Sequence, residues 1–355
     1  MPEPTEQFAR YQRQMLLPQI GAGGQQRLAE SRVLLVGCGA LGCHLADQLV
    51  RAGVGFLRIA DRDLIELTNL QRQSLFDEQD IGHAKAPAAA QRLNEINSQI
   101  KIDARVADVW PGNAELLAEE MDLILDGTDN VQTRYLLNDV SVKHNIPWIH
   151  AACVGTEGRV MPIVPGQGGQ GPCLRCIFPD PPNANELPTC DTAGILQPAA
   201  AAVASLQCTE ALKLLTRAKV MPPDGNRGVF LLHSLDIWSA RLSSISIERN
   251  PKCPCCVQNQ FPFLETSNSD TATTLCGRNT VQIRPARPWA DADFDLAMNK
   301  LKIAGKIESR GFFSRCQLAD PPGFTLTCFR DGRLLVHGTA DTGRAKAIYA
   351  KYLGA

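Results

Sequence analysis

Three glycines, Gly37, Gly39 and Gly42, stand at G-x-G-x-x-G spacing between an apolar run, Arg32-Val33-Leu34-Leu35-Val36, and a helical pattern that continues to about Ala52. In that setting the first glycine permits a tight turn. The second lets the backbone approach a phosphate, and the third lets helix and strand pack closely. The free N–H groups and positive dipole end of the helix then favour an anion. Asp61 closes the next apolar run, Phe56–Ala60, where a carboxylate can accept hydrogen bonds from a ribose. The alternative is a tight turn that holds no ligand.

Positive charge indicates which nucleotide is bound. Arg72 and Lys85 follow Asp61 closely, and two cations converging on one site suit a triphosphate better than a dinucleotide. Either one alone would be an ordinary solvated surface charge. Asp129, in Asp126-Gly127-Thr128-Asp129-Asn130, follows the apolar run Leu123–Leu125. A carboxylate at the end of a parallel strand suits Mg²⁺ bridging phosphate oxygens. Its other reading is a cap on the following helix.

Cysteines form the second constellation. Cys173 and Cys176 make one C-x-x-C, and Cys253 and Cys256 make another, each beside Gly or Pro turns. Two such knuckles can build one tetrahedral Zn²⁺ site, closed and therefore structural. Redox dithiols or free thiols are the alternative, and Cys255 adds a competing ligand. Cys38 and Cys43, beside the glycine turn, read as small buried residues. None of the six histidines has ligand-like spacing, and all six read as structural or surface residues.

The elements that must position these residues alternate strand-like and helix-like as far as Ala151, which predicts a parallel sheet covered by helices. Beyond it come a strand at Arg159–Val164, irregular chain over 179–192, an Ala-rich helix from about Pro198 to Thr216, and strands near Val229–Ser234 and Leu242–Glu248. The predicted organisation is an N-terminal helical arm (1–30), an α/β domain with a mixed sheet and the cysteine knuckles (31–258), a polar linker (259–274) and a small α+β domain (275–355). In the last, no loop is expected to present a reactive cysteine. The ending Gly354-Ala355, not Gly-Gly, predicts that the chain is not itself a carrier. A net charge of -1 without a basic block gives no reason to expect nucleic acid. No apolar run reaches the roughly 18 residues of a membrane helix, and no signal-peptide pattern opens the chain, so a cytoplasmic protein is expected. Thirteen cysteines there point to metal or redox chemistry.

Taken together, Arg10-Tyr11-Gln12-Arg13-Gln14, GCGALG, the Asp61-x-Asp63 pair, Asn69-Leu70-Gln71-Arg72-Gln73, Lys85 and Gly127-Thr128-Asp129-Asn130 follow an order that resembles the ThiF/MoeB/HesA family, bacterial relatives of ubiquitin-activating enzymes. The resemblance spans about Phe8 to Val257. It implies a Rossmann-like fold and an adenylyltransferase that uses ATP and Mg²⁺ to activate the C-terminal glycine carboxylate of a ubiquitin-like sulfur-carrier protein ending in Gly-Gly. A cysteine desulfurase or other sulfur donor is a further expected partner. By the same resemblance Asp61 and Asp63 serve the nucleotide's ribose side, and Asn69, Arg72, Gln73 and Lys85 surround the phosphates. Asp129 with Asn130 serves the metal end, and Arg13 reaches into a neighbouring subunit's site, which implies a homodimer. The two C-x-x-C pairs correspond to the family's zinc ligands.

An acyl adenylate is an electrophile, which makes Cys190, in the loop before the Ala-rich helix, a candidate nucleophile. The alternative is a packed cysteine at a helix start. An NAD-dependent oxidoreductase would account for the glycines and Asp61 but leaves Arg72, Lys85, Asp129 and the knuckles without a role. A relative that adenylates transfer RNA or a peptide carboxylate, or a non-catalytic partner subunit, shares much of the same pattern.

Overall fold

The computed structural model describes residues 6–165, 171–182, 190–216, 229–265, 271–275, 279–285, 287, 289–309 and 312–354. The chain divides into two compact units, Met1–Glu265 and Thr266–Ala355.

The larger unit is built on one eight-stranded sheet. Its strands are β1 (Arg32–Val36), β2 (Phe56–Asp61), β3 (Lys101–Val106), β4 (Leu123–Asp126), β5 (Trp148–Val154), β6 (Glu157–Ile163), β7 (Val229–Asp236) and β8 (Arg241–Glu248), in the order β3-β2-β1-β4-β5-β6-β7-β8. From β3 to β5 all pairs are parallel, and from β5 to β8 all are antiparallel. β1 shows why the central strands are apolar throughout. Val33 and Leu35 enter one core, with the helices Ala40–Ala52, Lys85–Ile96 and Gln197–Leu215. Leu34 and Val36 enter the other, with Ala114–Ala118 and Val131–His144. A strand buried on both faces cannot alternate with polar residues.

Helix ends follow local chemistry. Gly53 stops the helix Ala40–Ala52 in the left-handed conformation, at φ 88°. The helix Gln197–Leu215 buries Ala199, Ala200, Ala204 and Ala211. Small side chains let it lie close to the sheet, and a Cβ on Gly158 of β6 would fall 2.0 Å from Val203 Cγ2. No helix among the described residues is long and apolar enough to cross a membrane.

The smaller unit is an antiparallel sheet of β9 (Thr271–Leu275), β10 (Thr280–Arg284), β11 (Gly305–Ser309), β12 (Phe313–Leu318), β13 (Thr325–Phe329) and β14 (Leu334–His337), in the order β11-β12-β13-β14-β10-β9. The helices Asp291–Ala304 and Thr342–Tyr352 share its core, which contains Val281, Leu301, Leu326, Val336 and Ile348. Cys316 and Cys328 lie inside strands, as expected, and Cys276 is outside the described residues.

Two readings need correction. The stretch 259–274 is not simply a linker. Phe261, Phe263 and Leu264 pack on the core beside Tyr135, Phe263 N–H donates to Asp139 (3.0 Å), and Thr271 begins β9. Its polar composition hid three apolar anchors. The irregular segment 179–192 likewise gives way to a helical turn at Cys190–Ala193.

Candidate active site

The order of strands makes a crevice. The chain leaves β1 for β2 and β3 on one side, then returns to β4 on the other, so the connections after β1 and β4 diverge above adjacent strand ends. Open α/β sheets bind ligands there. The glycine turn follows β1, and Gly127–Asn130 follows β4. Backbone packing requires glycine at three of these positions. A Cβ on Gly42 would lie 2.0 Å from Gly37 O, one on Gly37 2.7 Å from Gly127 O, and one on Gly127 2.5 Å from Gly37 O. Gly39 differs: among the described residues a Cβ there would meet only Gln73 Nε2, at 3.9 Å. The space in front of Gly39, at the start of the helix Ala40–Ala52, is open to a phosphate.

Asp61 is buried. Its carboxylate accepts from Cys38 N–H (2.6 Å) and Asp63 N–H (2.7 Å), so it braces the glycine turn as well as facing the crevice. Burial raises its carboxyl above the ordinary range, and Lys85 offsets part of that. Lys85 begins its helix, is 4% exposed, and donates to Asp63 at 3.3 Å. Burial alone would push its ammonium down, but Asp63 and Asp61 outweigh it and hold the value above normal. Lys85 is therefore charged at neutral pH.

Asn69 and Gln73 are both 3% exposed. Asn69 Oδ1 accepts from Glu66 N–H (3.1 Å), which fixes the short turn Leu67–Asn69. Gln73 Oε1 is buried with no hydrogen-bond partner among the described residues, and its Nε2, a donor, is the atom nearest the open side of Gly39. Arg72 is half-buried, and its guanidinium donates to Thr68 O at 2.8 Å.

Asn130, not Asp129, caps the helix Val131–His144 by accepting from Thr133 N–H (3.2 Å). Asp129 is exposed and makes no hydrogen bond or ion pair among the described residues, which leaves its carboxylate free for a metal. Arg13 is exposed on the short helix Gln12–Met15 and likewise makes no such bond. The backbone of Cys190 opens the turn Cys190–Ala193, and its side chain lies outside the described residues.

The structure brings Gly37, Gly39, Gly42, Asp61, Asp63, Gln73, Lys85 and the Gly127–Asn130 loop together. It adds groups to which the sequence alone gives no site role. Gly127 is legible there only as part of a motif. Asp126, Arg134, His150 and Gln207 form a buried hydrogen-bonded group beneath the loop. By sequence His150 is only one of six structural or surface histidines, and no spacing links it to Asp126.

The cysteine knuckles meet elsewhere in the same unit. The four sulfurs of Cys173, Cys176, Cys253 and Cys256 all lie within 4.8 Å of one another, with Cys173–Cys253 at 3.6 Å and Cys176–Cys256 at 3.5 Å. A tetrahedron with metal–sulfur bonds of about 2.3 Å has edges of about 3.8 Å, so four thiolates here fit Zn²⁺. Hydrogen bonds from Cys173 and Cys176 lower the Cys253 thiol to about 6. Cys255 borders the cluster through Cys173 but is not one of the four grouped sulfurs. Its sulfur accepts from Asn138 Nδ2 (3.2 Å) and donates to Asp139 (3.4 Å).

A model of the ThiF family matches residues 11–255. The sulfur carrier protein ThiS adenylyltransferase of Bacillus subtilis is 42% identical over 350 residues, 97% of this chain and 99% of the relative. The sulfur carrier protein adenylyltransferase of Thermus thermophilus is 38% identical over 256 residues, 71% of this chain and 91% of the relative. Among solved structures, E. coli MccB with ATP shares the fold at TM-score 0.59 and 23% identity, over 70% of this chain and 74% of that one. By the match of the family model and the identity to these relatives, this chain belongs to the ThiF family.

Proposed function

We propose that this chain is an ATP-dependent adenylyltransferase that activates the C-terminal carboxylate of a small ubiquitin-like sulfur-carrier protein of the ThiS type. The observation that carries this reading is the end-to-end match to the ThiS adenylyltransferase of B. subtilis, which includes the small C-terminal unit. An oxidoreductase on the same glycine turn would not call for the charged Lys85 or the uncommitted Asp129.

The chemistry needs little from the protein beyond position and charge. A C-terminal carboxylate has a pKa of about 3.5 and is already a nucleophile at neutral pH. It attacks the α-phosphorus, the bond to the β-phosphate oxygen breaks, and pyrophosphate leaves. Backbone N–H groups at the start of Ala40–Ala52 receive phosphate oxygens across Gly39, and Lys85 and Arg72 bear the charge that develops. Asn69 and Gln73 fix the phosphate end, and Asp61 with Asp63 holds the ribose side. Asp129 would hold Mg²⁺, which would supply charge neutralisation at the phosphates. Arg13, exposed and without a hydrogen bond or ion pair among the described residues, completes the site of a second copy in a homodimer. Cys190 is the candidate to accept the acyl group: its thiolate attacks the carbonyl carbon, AMP leaves and a thioester forms. Zn²⁺ on Cys173, Cys176, Cys253 and Cys256 is structural, because four thiolates leave no open position. The unit from 275 onward binds the carrier, stabilises the dimer or recruits a sulfur donor such as a cysteine desulfurase.

The test is exchange of labelled pyrophosphate into ATP, dependent on a purified carrier ending in Gly-Gly. Exchange with the carrier and none with a carrier lacking its last glycine is expected. Exchange driven equally well by a free peptide, or none with any carrier, overturns the reading.

A further inference from the structure

Beneath the Gly127–Asn130 loop lies a buried charged group with no assigned role. Asp126, the last residue of β4, is fully buried. Its carboxylate accepts four hydrogen bonds: from Thr128 N–H (2.9 Å), Thr128 Oγ1 (2.7 Å), Arg134 Nε (3.1 Å) and His150 Nδ1 (3.1 Å). Arg134 reaches past it and donates through Nη2 to Thr128 O at 2.6 Å. From the opposite face, Gln207 Nε2 donates to the carbonyls of Asp126 (3.0 Å) and Ile149 (2.9 Å), bridging β4 and β5 where their ladder ends. Gly127 N–H is held by Val36 O at 2.8 Å.

Thr128 is therefore held at its N–H, its hydroxyl and its carbonyl, and the next residue is Asp129, whose carboxylate is exposed and holds no partner among the described residues. A carboxylate buried this deeply costs several kcal/mol unless fully compensated. Burial pushes the Asp126 carboxyl upward, but Arg134 and then His150 outweigh it and hold it below the ordinary carboxylate range. A buried anion wired on one side to a rigid strand and on the other to a single loop residue does more than fill a core, because an apolar side chain would do that at lower cost.

We propose that Asp126, Arg134 and His150 are positioning residues that set the Thr128–Asp129 backbone so that Asp129 meets the nucleotide-bound Mg²⁺ in one fixed orientation. The inference rests on the adenylyltransferase reading for the role of Asp129, and it deepens that reading from a ligand to the frame that aims it. Partners behind a metal ligand commonly control affinity by about 10- to 100-fold.

The experiment compares the full-length wild type with Arg134→Met, which removes both guanidinium bonds, and with Arg134→Lys and Thr128→Val, milder changes that guard against misfolding. Two readouts need no carrier protein: the Mg²⁺ concentration that half-saturates the ATP-induced rise in melting temperature, and hydrogen exchange of the 128–130 amides. Arg134→Met should raise the half-saturating Mg²⁺ by about tenfold and Thr128→Val by about threefold. Arg134→Lys should restore part of the loss, and exchange at 128–130 should quicken in the same order. In pyrophosphate exchange, excess Mg²⁺ should restore most of the maximal rate. An unchanged Mg²⁺ requirement in folded variants overturns the proposal, as does a lower melting temperature without faster exchange at 128–130. If the wild type binds ATP with Mg²⁺ yet activates no carrier, the functional reading fails while these binding results still decide the proposal.

Discussion

The nucleotide crevice and the cysteine cluster sit in the same unit and are finished in opposite ways. In the cluster every sulfur faces other sulfurs, and the fifth cysteine of the region, Cys255, is bonded to Asn138 and Asp139. In the crevice groups are left unfinished. Among the described residues, Gln73 Oε1 is buried without a partner, Gly39 faces open space, and Asp129 is uncommitted. A closed donor set has no room for a reacting atom, whereas unsatisfied groups around a gap are complete only with a ligand in place. The first arrangement suits a structural site, the second a reactive one.

Breaking the cluster should therefore cost stability, and breaking the crevice should cost chemistry. Stripping the metal with a chelator, or Cys173→Ser, should give the largest effect, a loss of about 5 kcal/mol or more read as a fall in melting temperature. An apo-protein that melts with the native protein would remove the contrast. Next, Arg72→Ala and Asp129→Ala should each lower carrier-dependent pyrophosphate exchange by about 10²- to 10³-fold, ~3 kcal/mol, with melting unchanged. Both variants exchanging at the normal rate would place the reactive site elsewhere.

Within the glycine turn the comparison sharpens further. Gly39→Ala should fold normally, because its Cβ meets nothing closer than 3.9 Å, yet bind ATP about tenfold more weakly by titration calorimetry. Gly42→Ala, with its Cβ 2.0 Å from Gly37 O, should lose thermal stability as well. Undiminished ATP affinity in Gly39→Ala would show that the open space is not the phosphate site. The smallest effect is expected from Cys190→Ala. Adenylation precedes any transfer to a thiol, so pyrophosphate exchange should change by less than about twofold. A large loss would make Cys190 part of the first step.

Much of this architecture is legible in the order of residues. The runs Arg32–Val36, Thr325–Phe329 and Leu334–His337 are strands with the expected bounds, because short runs rich in apolar and β-branched residues bracketed by turn residues have few other folds. Gly37, Gly39 and Gly42, Asp61 and the two C-x-x-C pairs are readable because each depends on spacing that backbone geometry fixes locally. β9 and β11 are not legible: each pairs at a sheet edge, where tertiary context rather than apolar pattern makes a strand.

What the sequence determined by itself was the list of parts: a phosphate-approach turn, cations, a strand-end carboxylate and four thiols. Only the tertiary structure decided their division of labour. It assigned the helix cap to Asn130, left Asp129 without a partner among the described residues, and bonded Cys255 to Asn138 and Asp139. It also assembled Asp126, Arg134, His150 and Gln207 from four elements into one buried group. Those outcomes depend on which residues distant in the chain share a low-dielectric interior, where each buried charge must find a partner, and no local pattern encodes that pairing.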